Sequence, residues 1–402
     1  MKSVVVILNI IILIVEVQHV TSAVTTTADR IKAAGYGSET HTIFTKDGYG
    51  LTVFRIIGRG NRTTSSPTAP VVLMMHGLMS SSDCWVLQGL KDGLAYNMVD
   101  RGYDVWLGNA RGNTYGKRHR KLSLDSPKFW NFSWHEIGII DLPTTMDYIL
   151  QKTQQPRLHY VGHSPGTTIM FVLLSIQPKY SEKLKSLHMI APIAYLKHTR
   201  SPAVLTAVPL VRMHTPLDNL VSYTTSRYLP IGGMLFKTCI NPRASRELCD
   251  VLTALLNGGM SDYIQKSIFP DVFKTHPAST SARQSFHFVQ LHISGHFRQY
   301  DFGAELNLQY YNRTTTPDYD VQRIQPRFPF HFYYSDFDDF STKLDVEKFS
   351  KILGNRSISH FINLKKFAHF DFMWAHNIKK IINPVVLKIM QETEEAWRNE
   401  ER

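Results

Sequence analysis

The amino-acid sequence predicts an α/β fold, a mostly parallel sheet with helices on both faces and a mainly helical insertion late in the chain. Three observations carry this expectation. Between residues 42 and 195, apolar runs of strand type alternate with helix-compatible stretches, the signature of a parallel sheet covered on both sides. From about Tyr195 to Asp318 clear strands stop, and amphipathic or apolar pieces such as 230–236 and 251–256 appear instead. Strand pattern returns at 328–334 and 359–364, ahead of a last helix over about 383–395. The resulting plan is a leader over 1–23, a first core segment over 24–195, a cap over 196–317 and a second core segment over 318–402.

The leader reads as a secretory signal: Lys2, then an apolar run over 4–15 broken only by Asn9, then small residues at Thr21, Ser22 and Ala23. That run is too short for a comfortable membrane span, and no later segment reads as transmembrane. Residues 24–40 are polar and expected on the surface. A hairpin is predicted over 42–57 around Lys46-Asp47-Gly48-Tyr49-Gly50. A polar loop over 58–70 leads to the buried strand 70–75. A helix over 94–101 and a strand over 103–107 follow. Residues 129–148 read as a helical passage, in which Asp141 caps a helix and Pro143 lies in its first turn. Residues 188–194 form the strand after the central turn.

Of 402 residues, 45 are basic and 33 acidic, a formal charge of +12. The densest basic run, Lys117-Arg118-His119-Arg120-Lys121, reads as a solvated loop, with anionic lipid surfaces as the other reading. Nucleic acid is not expected as a partner, since no binding module accompanies the charge. Three cysteines fit an oxidising compartment with one bridge: Cys239 and Cys249 would close a small loop, leaving Cys84 as a buried thiol. Four glycosylation sequons at Asn61, Asn131, Asn312 and Asn355 agree with secretion, with lysosomal delivery as the alternative. Asn131 stands among Phe129, Trp130, Phe132 and Trp134. His287, His292 and His296 lack a nearby carboxylate or cysteine in sequence, and His292 and His296 are spaced for one helix face. Neither a metal nor a cofactor is expected.

Chemistry concentrates at Leu158-His159-Tyr160-Val161-Gly162-His163-Ser164-Pro165-Gly166-Thr167-Thr168. A buried-strand run enters a Gly-x-Ser-x-Gly pentapeptide and a helix-compatible run leaves it, the context of a nucleophile elbow. The glycines avoid a clash where strand and helix cross. The residue after such a serine normally gives its backbone N–H to the oxyanion. Here it is Pro165, which has none, although proline is tolerated in a helix's first turn. The second donor is expected from the loop after the 70–75 strand, His76-Gly77-Leu78-Met79, at the N–H of Leu78.

A serine hydroxyl needs a general base, and the base needs a carboxylate to fix its tautomer. His369, after the last strand, is the candidate base. Asp336, Asp338, Asp339 and Asp371 are candidate acids, and chain order leaves the first three nearly tied. The order serine, aspartate, histidine is that of α/β-hydrolases.

At these residues the chain resembles the acid lipase family, the gastric and lysosomal lipases and their insect relatives. The matching segments span nearly the whole mature chain. They include Lys46-Asp47-Gly48-Tyr49, His76-Gly77-Leu78, Gly102-Tyr103-Asp104-Val105-Trp106-Leu107-Gly108-Asn109, Arg111-Gly112-Asn113-Thr114, Asp141-Leu142-Pro143, His276-Pro277-Ala278, Tyr300-Asp301-Phe302-Gly303 and His369-Phe370-Asp371-Phe372. The serine run ending in Asp83-Cys84-Trp85 looks most like the insect branch. The resemblance implies an α/β-hydrolase fold with a cap and lid, acting on neutral lipid esters at a lipid–water interface. It matches Ser164 to the nucleophile, His369 to the base and Leu78 to one oxyanion donor. It matches Asp338 to the acid, seven residues before Asp345-Val346. Cys239 and Cys249 resemble the family's bridge. Three positions depart from the pattern: Pro165 replaces a usual glutamine, Asn257 a common cysteine and Ser279 a usual glycine. Two readings follow: a secreted serine esterase cleaving triacylglycerols or sterol esters through an acyl-enzyme, or a catalytically impaired lipid-binding relative.

Overall fold

The computed structural model describes residues 25–400 apart from 61, 64–65, 67, 213–238 and 240–245. The expected leader, the apolar piece at 230–236 and the sequon residue Asn61 lie outside the described residues.

Among the described residues ten strands form one sheet: β1 (Tyr36–Phe44), β2 (Tyr49–Arg59), β3 (Arg62–Thr63), β4 (Val71–Met75), β5 (Asp104–Leu107), β6 (Arg118–His119), β7 (Leu158–His163), β8 (Leu184–Ile190), β9 (Phe330–Ser335) and β10 (Ser357–Ile362). The main order is β1-β2-β5-β4-β7-β8-β9-β10, with β3 and β6 pairing with β2. From β5 to β10 every neighbouring pair is parallel, whereas β1–β2 and β2–β5 are antiparallel. The central strands β4 and β7 are buried along their whole length, so they read as continuous apolar runs rather than alternations. Two apolar clusters cover the sheet. One includes Trp106, Trp134, Phe171 and Phe332; the other includes Met74, Trp85, Val161 and Trp374. The parallel strands therefore end together along one rim, where ligands of open α/β sheets bind.

Between β8 and β9 the described residues form helices, among them Pro202–Arg212, Arg246–Asn257, Phe269–Thr275, Ala282–Ser294 and Ala304–Tyr311. Cys239 and Cys249 are joined by a disulfide there, and Cys84 is a buried free thiol. Among the described residues no helix is long and apolar enough to cross a membrane. Asn131, Asn312 and Asn355 are exposed, Asn131 even though Phe129 and Phe132 beside it are fully buried.

Several expectations give way to tertiary packing. Residues 25–40 lie largely at the surface, yet a helix forms over Thr27–Ala33 under a Thr26/Asp29 capping box, buries Ile31, and leads into β1. The basic run at 117–121 is not a free loop, because Arg118 and His119 pair with Gly50 and Tyr49 of β2. Asp141 does not cap a helix, since helical backbone already runs through it from Trp134 by way of a π-helical turn. Its carboxylate instead accepts the N–H of Arg111 (3.0 Å) and that residue's Nε (2.8 Å) and Nη2 (2.6 Å). The same guanidinium binds Asp47 (2.7 Å) and lies over Tyr49, 4.0 Å from the ring centroid. Buried Arg111 thus ties the β1–β2 turn to the loop after β5, with a carboxylate on either side offsetting its desolvation. His296 lies beyond the helix Ala282–Ser294, whose C-cap is Gly295, and pairs with Asp318 (3.1 Å), while His287 stacks on Trp134. The three histidines do not converge.

A line of imidazoles crosses the sheet beneath the C-terminal helix Asn383–Glu400. His159 bonds Glu394 (2.8 Å) and Ser186 (2.7 Å), Ser186 bonds His188 (2.9 Å), and His188 bonds Tyr333 (3.0 Å). His331 reaches His360 (3.0 Å). Burial holds His159 and His188 below the ordinary histidine range and pushes His331 down to about 4. Below about pH 6.5 the unfolded chain therefore binds protons that the fold refuses, so stability falls as pH drops from there toward 4. The carboxyl of Asp371, raised by burial to about 7, works the other way as a single group. The melting temperature is expected to decline from about pH 6.5 to pH 4.5, and less steeply in His188→Gln. A flat profile measured by circular dichroism contradicts this.

Candidate active site

The site begins at the end of β7. Ser164 is held at φ 55°, ψ −124°, between the strand and the helix Pro165–Ile176. A β-carbon on Gly166 would fall 2.5 Å from the Met75 carbonyl oxygen, and one on Gly162 would fall 2.7 Å from the Gly166 carbonyl carbon. Both approaches are to backbone, so only glycine allows strand and helix to cross this closely. Pro165 takes the first helical position, where its fixed φ suits the helix and no intrahelical N–H bond is lost. The N–H of Ser164 donates to Ile190 on β8 (2.9 Å), locking the elbow to the next strand.

Three side chains distant in sequence meet here. Ser164 Oγ lies 2.7 Å from His369 Nε2, and His369 Nδ1 lies 2.7 Å from Asp338 Oδ2. All three are buried. The second oxygen of Asp338 accepts the N–H groups of Phe340 (2.8 Å) and Ser341 (2.9 Å), so its carboxylate is fully engaged. The other acids are placed differently. Asp336 is exposed, Asp339 pairs with Arg200 (2.8 Å), and Asp371 accepts from Ser261 Oγ and the N–H of Ala368, both at 2.6 Å. The arrangement lets the hydroxyl pass its proton to an imidazole whose charged form faces a fixed carboxylate.

Buried groups that the motifs did not reveal hold this geometry. His369 donates its N–H to the Asn257 carbonyl (3.0 Å), and Asn257 Oδ1 accepts the N–H of Phe370 (2.6 Å). The asparagine that departs from the family pattern thus anchors the histidine loop. His163 Nε2 donates to the His369 carbonyl (3.1 Å); its Nδ1 has no partner among the described residues, and burial keeps the ring neutral. Ser279, the other tolerated departure, donates its hydroxyl to Gly112 (2.7 Å).

Leu78 follows Gly77, where an added β-carbon would lie 3.3 Å from Ser164 Cβ, so the loop after β4 runs against the serine. Its shape is fixed by His76. His76 Nε2 accepts from the N–H of Ala110 (3.2 Å) and from Asn113 Nδ2 (3.0 Å), so the ring proton is on Nδ1, which donates to the Gly77 carbonyl (2.8 Å). That carbonyl belongs to the peptide carrying the Leu78 N–H, and a trans peptide directs the two groups oppositely. Burial pushes His76 down to about 4, keeping it neutral. Met79 then turns at φ 52°. Among the described residues no group of histidine, cysteine and carboxylate side chains is arranged to hold a metal.

Residues 27–89 match the family model for a partial α/β-hydrolase lipase region, and residues 70–218 the model for the α/β-hydrolase fold. Lipase 3 of Drosophila melanogaster is 35% identical over 91% of this chain and 93% of its own. The gastric triacylglycerol lipase of Bos taurus is 35% identical over 89% of each chain. An epoxide hydrolase from Vigna radiata superposes with a TM-score of 0.50 at 14% identity, covering 88% of this chain and 98% of that one. The last likeness concerns the fold alone.

Because the elbow contacts are to backbone, Gly166→Ala is expected to lower stability by about 1–3 kcal/mol or more, as overpacking does. Urea denaturation of the two proteins checks this, and equal midpoints contradict it.

Proposed function

The chain belongs to the lipase family of α/β-hydrolases, and from that premise we propose that it cleaves carboxylic esters of neutral lipids through an acyl-enzyme formed on Ser164. The observation that carries the reading is the unbroken relay of two 2.7 Å contacts from Ser164 through His369 to Asp338. In this mechanism His369 takes the hydroxyl proton as Ser164 attacks the ester carbonyl, then gives it to the leaving alcohol. Water next repeats the step in reverse and frees the fatty acid. Asp338 holds the imidazole in the required tautomer. The Leu78 N–H stabilises the oxyanion. Triacylglycerol or sterol ester is the substrate class, the segment over 196–317, helical among its described residues, is a cap over the rim, and the protein is secreted.

Pro165 sets the expected rate. Removing one oxyanion donor typically lowers turnover about a hundred- to a thousandfold, so the enzyme is slow for its kind. The same residue favours a second reading, a lipid-binding relative that keeps the pocket and has lost most turnover.

A fluorophosphonate probe is expected to label Ser164 in the folded protein and to miss Ser164→Ala; an unlabelled wild type argues for the second reading. Asp338→Asn should lower hydrolysis of a short-chain ester by roughly four orders of magnitude, whereas Asp336→Asn should leave it nearly unchanged. Equal losses in both variants would remove Asp338 from the relay. Pro165→Gln should raise turnover about a hundredfold or more by restoring a donor. No gain, with the fold intact by circular dichroism, would sink the explanation of a missing donor.

A further inference from the structure

The basic run over 117–121 takes no part in the relay, yet strand pairing and hydrogen bonds hold it at the same rim. Arg118 and His119 of β6 pair with Gly50 and Tyr49, and the N–H of Arg120 donates to Gly48 (2.9 Å). His119 Nε2 donates to the Asp47 carbonyl (3.0 Å), and its Nδ1 accepts from the N–H groups of Lys121 and Leu122, both at 2.9 Å. This imidazole is a backbone clamp, and the flanking cations are left to solvent.

The sheet register places the ribbon. Phe54 of β2 lies opposite Leu107, the last residue of β5, and Met74 of β4 lies beside Leu107. Met75 lies beside Gly162 of β7, just before Ser164. Because β2 runs antiparallel to β5, its earlier residues back to Tyr49 project past the rim where Ser164 stands. His119, opposite Tyr49, is on that side.

The ribbon presents charge together with apolar surface. Arg118 donates to Thr42 Oγ1 (3.3 Å), and the Arg120 guanidinium lies 4.8 Å from the centroid of the Phe44 ring. Phe44 is 43% exposed and Leu124 41%, high for large apolar side chains. Residues 42–49 and 117–128 carry six exposed cations: Lys46, Lys117, Arg118, Arg120, Lys121 and Lys128. The acids in these segments are Asp47 and Asp125, and Asp47 is engaged by buried Arg111 (2.7 Å). Cations around exposed Phe and Leu suit a surface that is apolar inside and anionic at its face.

We propose that this patch docks the protein on a lipid–water interface bearing fatty-acid carboxylates, with Phe44 and Leu124 entering the lipid and the cations meeting the head groups. The inference rests on the proposed ester hydrolysis for its source of charge, since each ester cleaved leaves one carboxylate at the interface. Docking then strengthens as product accumulates and keeps the Ser164 rim against the droplet.

The test uses full-length protein carrying Ser164→Ala, floated with phosphatidylcholine vesicles with and without oleate, at low and high salt. Binding is expected to rise with oleate and to fall with salt. Each basic side chain near an anionic surface contributes roughly fivefold in affinity, so Arg118→Gln/Arg120→Gln should bind oleate vesicles about twenty- to thirtyfold more weakly and neutral vesicles equally. With Ser164 retained, the same double variant should hydrolyse a soluble short-chain ester at the wild-type rate, which also reports its fold. Unchanged binding of the double variant to oleate vesicles overturns the proposal. So does wild-type binding indifferent to oleate, or retention on heparin without partition onto vesicles. Absent soluble-ester turnover with intact oleate-dependent binding counts against the ester reading alone, so the two failures are distinguishable.

Discussion

The structure depends on how closely one helix can approach one strand. At the elbow the backbone of Gly166 lies so near the Met75 carbonyl that an added methyl group would sit 2.5 Å from the oxygen. That approach forces Ser164 to φ 55° and lifts its hydroxyl out of the chain's path. Backbone strain of this kind costs on the order of 1–3 kcal/mol and persists only where surrounding structure imposes it. Here the Ser164 N–H bond to β8 and the fully buried strands β4 and β7 impose it. Proline at the next position is compatible with the turn because it enters a helix at its first residue. Pro165 therefore leaves the helix start undisturbed while carrying no N–H of its own.

Around the elbow, histidines act as fixed connectors. His76 orients the peptide that carries the Leu78 N–H, His163 ties the elbow to the carbonyl of His369, and His119 clamps the basic ribbon to the hairpin. An imidazole can donate from one nitrogen and accept at the other, and His76 and His119 each join backbone segments in this way. His76 is sensitive to acid, because this ring, held neutral by burial, must give up the Ala110 N–H contact at Nε2 when it binds a second proton. The histidine line beneath the C-terminal helix has the same property far from the site, which links the pH range of stability to the core as well as to the rim.

The departures from the family pattern have different physical consequences. Asn257 supplies both a carbonyl to His369 and a side-chain oxygen to Phe370, and Ser279 reaches the Gly112 carbonyl, so each polar group finds a partner. Pro165 has no such compensation in its own bonding. The basic ribbon is a third kind of feature, local in sequence but given its place by pairing with a strand some seventy residues earlier.

By itself the sequence determined the order of strands and helices, the elbow and the short list of partners for Ser164. Apolar runs, glycine spacing and turn residues are local signals, and β4, β7 and the Gly162–Gly166 turn are written in them. It left Asp336, Asp338 and Asp339 nearly tied, because a chain-order argument cannot see which carboxylate faces inward; the family spacing singled out Asp338. Tertiary structure alone placed Asp338 against His369, Asp339 against Arg200 and Asp336 in solvent. It also decided that Asp141 neutralises Arg111 rather than capping a helix, and that the polar stretch 27–33 folds as a helix that buries Ile31. Those outcomes turn on which distant groups share a buried space, where an unpaired charge or an exposed apolar face is too costly to leave, and that is settled only when the chain has closed on itself.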